Sequence, residues 1–483
     1  MTEYDKTSDA IVALKEIFEN PLVRLILKYF ISKERLDRAL EIYCGLDKPH
    51  NVSEEINAFL VSYAVNKGAA VFGKKRQDFI EYFKNPVPRR GLNLVLRSIV
   101  EYGITKPQKL VAPFLVVWDS TLMCNLRCKH CYASAGVSTP PPDELNTEQR
   151  KQVIDQLDEA GVVAIAFSGG EPLMRPDFFE IAKYAHEKGM FISVASNGTL
   201  ITKQIAKKLK QVGVGYIEIS LDHSSPKIHD EFRGVKGAWK RAVQGIKNCV
   251  EAGLFTCIAT TATQHNYDDI PKMIKLAKKL KANRFVVFNF IPTGRGNEIK
   301  KWDLTPQQRE DLMNLLYDEL EKEGGMQSFS TCPAYARISM ERVMAGKGKT
   351  VAPTHFAGAS LHGKAIAIAE FIGGCGAGRN YCSIEYNGDM QPCVFIPITI
   401  GNVLKDGFEN VWKNSELLNK MRNRELLKDG CGECPYKYIC GGCRARAYAC
   451  TGDIMASDPG CLFVKKFEEE HQPENQAMQI FWL

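Results

Sequence analysis

Residues 118–132 read Trp-Asp-Ser-Thr-Leu-Met-Cys-Asn-Leu-Arg-Cys-Lys-His-Cys-Tyr and set Cys124, Cys128 and Cys131 in the spacing C-x3-C-x2-C. One short loop thus offers three thiolates and no fourth. A structural zinc or a closed iron–sulfur cluster takes four protein ligands, so three imply a metal centre with a vacant position at which chemistry can occur. A zinc knuckle completed by His130 is the alternative, but His130 adjoins Cys131 and is poorly placed to wrap the same ion.

Eight further cysteines crowd the C-terminal part: Cys375, Cys382 and Cys393, then Cys431, Cys434, Cys440, Cys443 and Cys461. Eight thiolates suffice for two four-ligand sites. A zinc ribbon over Cys431 to Cys443 is the simpler reading of that stretch taken alone. The clusters have metal-ligand spacings rather than a disulfide pattern, and the opening MTEYDKTSDAIVALKE is polar and mixed in charge, not basic then apolar. A reducing, cytoplasmic setting is therefore expected. Cys44, Cys249, Cys257, Cys332 and Cys450 remain; most read as packing residues, with Cys332 and Cys450 nearest the chemistry in sequence.

Between these arrays, apolar runs alternate with amphipathic stretches. Strands are predicted at Phe114–Ser120, Val162–Ser168, Phe191–Ser196, Gly215–Leu221, Phe255–Thr261 and Phe285–Phe290, with helices such as Thr147–Ala160 and Asp268–Leu280 between them. Six such units make an α/β fold with a parallel sheet, a partial (β/α)6 barrel. Sites on such folds gather at the C-terminal ends of the strands.

The three-cysteine loop, this rhythm, and Ser168-Gly-Gly-Glu-Pro-Leu after the second strand together resemble the radical S-adenosylmethionine (SAM) superfamily. The resemblance implies a [4Fe–4S] cluster on Cys124, Cys128 and Cys131, one iron of which binds the amino and carboxylate groups of SAM; Tyr132 fits the pattern. It implies SAM contacts from Gly169, Gly170, Glu171 and Pro172, the first three near the methionine ammonium. Ser196, Asn197 and Ser220 would face ribose and carboxylate, and Arg233 or, by its distance beyond the fourth strand, preferably Arg241 would pair with the carboxylate. The stretch after the sixth strand, Asn289-Phe-Ile-Pro-Thr-Gly-Arg-Gly, would meet adenine, with Arg295 towards the substrate.

The C-terminal array resembles the SPASM extension of that superfamily, which carries two auxiliary [4Fe–4S] clusters. By that pattern Cys375, Cys382, Cys393 and Cys443 hold the inner cluster and Cys431, Cys434, Cys440 and Cys461 the outer. Cys440-Gly-Gly-Cys443 is one residue tighter than in many members, so the division of Cys440 and Cys443 between the two stays open. The implied activity is reductive cleavage of SAM, with electrons from a flavodoxin or ferredoxin, to a 5′-deoxyadenosyl radical that abstracts hydrogen from an unactivated carbon. Fully ligated auxiliary clusters would act as electron acceptors or relays, for an oxidative or redox-neutral outcome. The run from Cys440 to Cys461 looks most like members that process tetrapyrrole side chains in haem and haem d1 synthesis, and members that cross-link peptides. A metal-bearing scaffold without turnover is the non-enzyme alternative, which the intact three-cysteine loop argues against.

The 483 residues carry a net charge of +7, and residues 67–109, with ten Lys and Arg against Asp78, Glu81 and Glu101, hold as much. Aromatic and aliphatic residues interleave there, Phe72, Phe79, Phe83 and Leu92 among them. Core packing is the first reading; contact with an anionic membrane, and with it a lipid acyl substrate, is the second. No apolar run approaches the ~20 residues of a membrane span, and no nucleic-acid partner is expected. The expected organisation is a helical N-terminal domain to residue 110, the barrel over 111–323, a linker on the substrate side over 324–374 containing His355 and His362, the auxiliary domain over 375–465 and a tail. The helical reading of 1–110 does not support a leader-peptide domain built on a β-hairpin.

Overall fold

The computed structural model describes Lys28 and residues 32–71, 76–352 and 361–470. From residue 32 onward the described residues open with four helices: α1 (Lys33–Tyr43), α2 (Val52–Val71), α3 (Arg76–Lys84) and α4 (Pro86–Tyr102). The parallel strands β1 (Leu115–Asp119), β2 (Ala164–Ser168), β3 (Phe191–Ser196), β4 (Val214–Ser220), β5 (Phe255–Ala262) and β6 (Arg284–Asn289) follow, each within a residue or two of its predicted bounds.

Between β1 and β2 runs α5 (Thr147–Ala160). Asn146 and Gln149 form a reciprocal capping box at its start, and Gly161 closes it in the left-handed conformation. Its apolar face, Val153, Ile154, Leu157 and Ala160, is buried in the sheet's main core, where each large aliphatic contributes about 2 kcal/mol. An apolar face buried in the same core recurs in α6 (Phe178–Glu187), α7 (Lys203–Gln211), α9 (Ala238–Glu251), α10 (Ile270–Lys279) and α11 (Pro306–Glu321), whereas α8 (Pro226–Arg233) packs Phe232 against Phe290 and Ile299.

Beyond these six strands the sheet continues on both edges. β7 (Gln327–Ser330) lies parallel to β6, so the segment read as a linker opens with a barrel strand; four residues reading Gln-Ser-Phe-Ser carry no apolar run to announce it. After the small pair β8 (Thr350–Val351) and β9 (Leu361–His362), β10 (Tyr381–Ile384) joins parallel to β1, with β11 (Asp389–Gln391) and β12 (Gly401–Asn402) antiparallel beyond it. The auxiliary cysteine region is thus continuous with the barrel's first edge. His362 is exposed on β9, and His355 lies outside the described residues.

The helical N-terminal unit has its own core, Leu36, Leu40, Tyr43, Val65 and Phe83. Among its described residues, three arginines are engaged within the protein. Arg90 donates to Asp158 Oδ1 at 2.7 Å, to the Lys188 carbonyl at 3.2 Å and to the Val162 carbonyl, Arg97 to the Ala160 carbonyl at 3.3 Å, and Arg89 to the carbonyls of Phe83 and Lys84. Arg90 and Arg97 dock α4 on the end of α5 and the β2 approach and Arg89 ties α4 to α3, which agrees with the packing reading of these arginines; Phe72, Lys74 and Lys75 lie outside the described residues. Among the described residues no helix is long and apolar enough to cross a membrane.

Candidate metal centre

The three-cysteine loop leaves the C-terminal end of β1 and is fixed by backbone bonds on every side. Gly170 N–H donates to the Thr121 carbonyl at 2.7 Å and Glu171 N–H to that of Met123 at 2.8 Å; from the other side Arg127 and Lys129 N–H donate to the carbonyls of Arg233 and Phe232 at 3.0 Å. Arg295, after β6, donates its N–H to the Cys131 carbonyl and its Nε to that of Cys128, each at 3.0 Å. Cys124, Cys128 and Cys131 converge in one small apolar group with Leu126, Val235 and Ala238. A Cβ on Gly169 would stand 2.7 Å from the Thr121 carbonyl oxygen, and one on Gly170 only 2.1 Å from that of Met123. The glycine pair therefore exists to let the second loop lie against the first.

Glu171 is fully buried at this junction. It accepts from Asn197 N–H at 2.8 Å, Ser196 Oγ at 2.9 Å and Leu173 N–H at 3.2 Å, yet burial outweighs these bonds and pushes its carboxyl up to about 7. Pro172, buried beside it, starts a short 3-10 turn. Ser196 and Asn197, expected to face SAM, brace this junction: Ser196 bonds Glu171, and Asn197 Nδ2 donates to Asn125 Oδ1 of the cysteine loop at 2.8 Å. Ser220 is half-buried as the last residue of β4.

The two candidate arginines differ in their surroundings. Arg233 is buried, donating Nε to Asp222 Oδ2 at 2.5 Å and Nη1 to Cys128 Sγ at 3.6 Å, whereas Arg241 stands exposed on the first turn of α9. Beside Asp222 and Cys128, the Arg233 guanidinium is held firmly charged despite its burial. His130 stacks on Phe232 with ring centroids 4.3 Å apart, and burial depresses it to about 3, so it is neutral. Sequence reasoning missed Asp222, and also Asp119, whose Oδ1 accepts from the Tyr132 hydroxyl at 2.8 Å while Oδ2 is buried without a partner.

In the C-terminal array, Cys431, Cys434, Cys440 and Cys461 line one cavity together with Arg337 and Asp458. Cys375, Cys393 and Cys443 do not line it; they pack in the group containing Tyr381, whose hydroxyl meets Cys393 Sγ, and Cys431 and Cys461 border that group from the cavity side. Cys440 lines the cavity and Cys443 does not. Cys382 is in neither set; it belongs to the main core with Trp412 and Leu418, a group that Cys440 also borders while lining the cavity. Cys332 is buried in the same core, and Cys450 is exposed.

Among the described residues no three or more His, Cys, Asp or Glu are gathered as a single metal ion requires. The environment does suit larger anionic groups. Buried guanidinium groups surround the cysteines: Arg424 donates to the Cys375 carbonyl at 2.9 Å and Arg444 to Cys431 Sγ at 3.6 Å, while the Nε atoms of Arg379, Arg424 and Arg444 have no hydrogen-bond partner. Burial depresses Arg379 to about 9. Buried cations short of counter-charge fit thiolate-held clusters.

Comparison with known proteins agrees with this geometry. Residues 119–297 match the radical SAM superfamily and 375–435 an iron–sulfur cluster-binding domain, SPASM. The chain belongs to the radical SAM superfamily and is an enzyme of that class, with SAM and [4Fe–4S] clusters as cofactors. It is 37% identical to the AdoMet-dependent heme synthase of Methanosarcina barkeri over 73% of this chain and 97% of that one. It is 31% identical to the pre-heme d1 synthase of Dinoroseobacter shibae, covering 79% and 90% of the two chains, and 33% identical to the mycofactocin maturase of Mycobacterium tuberculosis, covering 73% and 84%. In fold it is similar to Streptococcus suis SuiB bound to S-adenosylmethionine, with a TM-score of 0.61 at 19% identity over 88% of this chain and 92% of that one.

Proposed function

We propose that the substrate is a haem-type tetrapyrrole, one of whose side chains gives up hydrogen. The observation that carries this is the 37% identity that extends over 97% of a heme synthase, backed by 33% identity to an Fe-coproporphyrin III synthase over 88% of its length, both from Methanosarcina barkeri. When bound, the first cluster and SAM supply a 5′-deoxyadenosyl radical, the species that removes an unactivated hydrogen. The chain's residues supply position. Cys124, Cys128 and Cys131 hold the cluster, Glu171 and the glycine turn receive the methionine end of SAM, and Arg233, with two donors already engaged, offers Nη2 to its carboxylate. A flavodoxin or ferredoxin would be the electron donor, and clusters held by the C-terminal cysteines would offer an acceptor or relay suited to an oxidative or redox-neutral reaction.

A second reading, peptide maturation, has the 33% identity to mycofactocin maturase in its favour. Anaerobically reconstituted protein incubated with SAM, reductant and an iron tetrapyrrole bearing carboxylated side chains should form deoxyadenosine in step with a change in tetrapyrrole mass and absorption. Deoxyadenosine formation that ignores tetrapyrroles, and takes up deuterium from a labelled peptide instead, would transfer the assignment to the second reading.

A further inference from the structure

We propose that the inner auxiliary cluster is held by only three thiolates, those of Cys375, Cys393 and Cys443, with Cys382 outside the ligand set and the remaining position open to an oxygen or nitrogen donor arriving from the barrel interior. The inference rests on reading the C-terminal cysteines as cluster ligands.

It follows from the pleat of one strand. Successive side chains on a strand point to opposite faces, and β10 pairs with β1 in the register Leu115↔Tyr381, Val116↔Cys382 and Trp118↔Ile384. Tyr381 belongs with Cys375, Cys393 and Cys443, and Leu115 and Val117 pack against that same group. Cys382 and Ile384 belong instead with Val116, Trp118, Trp412 and Leu418, in the layer between sheet and helices. Bringing Cys382 to the inner site means sliding β10 by one residue, which turns every other side chain of the strand over as well. Cys382 is fully buried, and the charge nearest to it is that of Arg422, whose guanidinium is fixed by the carbonyls of Gly378 at 2.9 Å and Trp412 at 2.8 Å. In such surroundings a thiol serves as a small apolar packing group.

The side that Cys382 leaves vacant faces the chemistry. The inner group includes Ile291, just past β6, and packs against Phe395, whose ring meets that of Tyr132 at 5.0 Å. Tyr132 directly follows the three-cysteine loop, so a substrate carboxylate or amine held near that loop has a short path to the inner site.

The test uses full-length protein in which Cys124, Cys128 and Cys131 are all alanine, so that no open iron remains at the first site. Reconstituted, this parent should hold about eight iron. Adding Cys382→Val should leave that count unchanged, whereas adding Cys393→Ala should lower it to about four. Imidazole or cyanide should shift the electron paramagnetic resonance spectrum of the reduced parent, and this measurement stands even where Cys382→Val fails to accumulate. Loss of iron from Cys382→Val to the level of Cys393→Ala, or a parent spectrum indifferent to both ligands, overturns the inference alone. A parent that takes up zinc or no iron overturns the cluster reading and the inference with it.

Discussion

At Gly170 the fit between two loops comes down to one hydrogen atom. The methyl group of Gly170→Ala would meet the Met123 carbonyl oxygen at 2.1 Å, and that carbonyl is the acceptor of the Glu171 N–H that binds the cysteine loop to the glycine turn. Because the obstacle is backbone, it cannot rotate away; the expected cost is about 1–3 kcal/mol, and the first cluster should be lost before the auxiliary ones, by iron count and by deoxyadenosine formation. An alanine variant with full iron and normal SAM cleavage would show that the loops do not need this contact. Next to it, Glu171 makes a prediction about pH. Its carboxyl, raised from 4.5 to about 7 by burial, still holds a proton in the folded protein at pH values where the unfolded chain has released it. Its contribution to stability is therefore full below about pH 4.5 and is lost as pH rises through about 7. Glu171→Gln should flatten the decline in melting temperature of the SAM-free protein between about pH 5 and 8; equal slopes for both proteins would mean that the carboxyl titrates as an exposed one does.

At the scale of elements, the six long apolar strands were legible because alternation with amphipathic helices has a period that chance seldom produces, while β7 and β10 were not, being four residues each and partly polar. The cysteines were legible as ligands, but which face of β10 each side chain takes depends on pairing with β1, which no spacing encodes. The burial of Arg233 rather than Arg241 was not legible for a related reason: distance along the chain says how far a helix reaches, and only the packing of α8 against the cysteine loop says which guanidinium turns inward. The basic segment stayed between two readings, packing first and membrane second, because charge alone does not distinguish a solvated lysine from an arginine that ties two elements together. Arg90 is the test of that distinction. Removing its side chain leaves the carbonyls of Val162 and Lys188 and the Asp158 carboxylate short of a donor, so Arg90→Ala should cost about 2–3 kcal/mol and expose the loops between α1 and α4 to protease before the barrel is cut. An unchanged melting temperature and digestion pattern would mean that α4 is held to the barrel by its apolar face alone.

For the molecule as a whole, the arrangement separates the site that opens SAM from the sites beyond it. The first cysteines sit on the loop after β1, the outer four surround a cavity between residues 431 and 461, and the inner group lies between, against the barrel strands β1 and β10. Built on different segments, they should load separately. Wild-type protein reconstituted without oxygen should hold about twelve iron and as much sulfide, and replacing Cys124, Cys128 and Cys131 together by alanine should remove about four iron with all SAM cleavage. Cys431→Ala is the complementary variant. Since Cys431 also accepts from the buried Arg444 and from Asp458 N–H, its loss should empty the outer site, again about four iron, and lower substrate turnover, while some deoxyadenosine still forms without substrate being consumed. If Cys431→Ala instead abolished deoxyadenosine formation in protein that keeps the first cluster, the outer site would be required for opening SAM itself, and its role as a relay downstream of the radical would have to be given up.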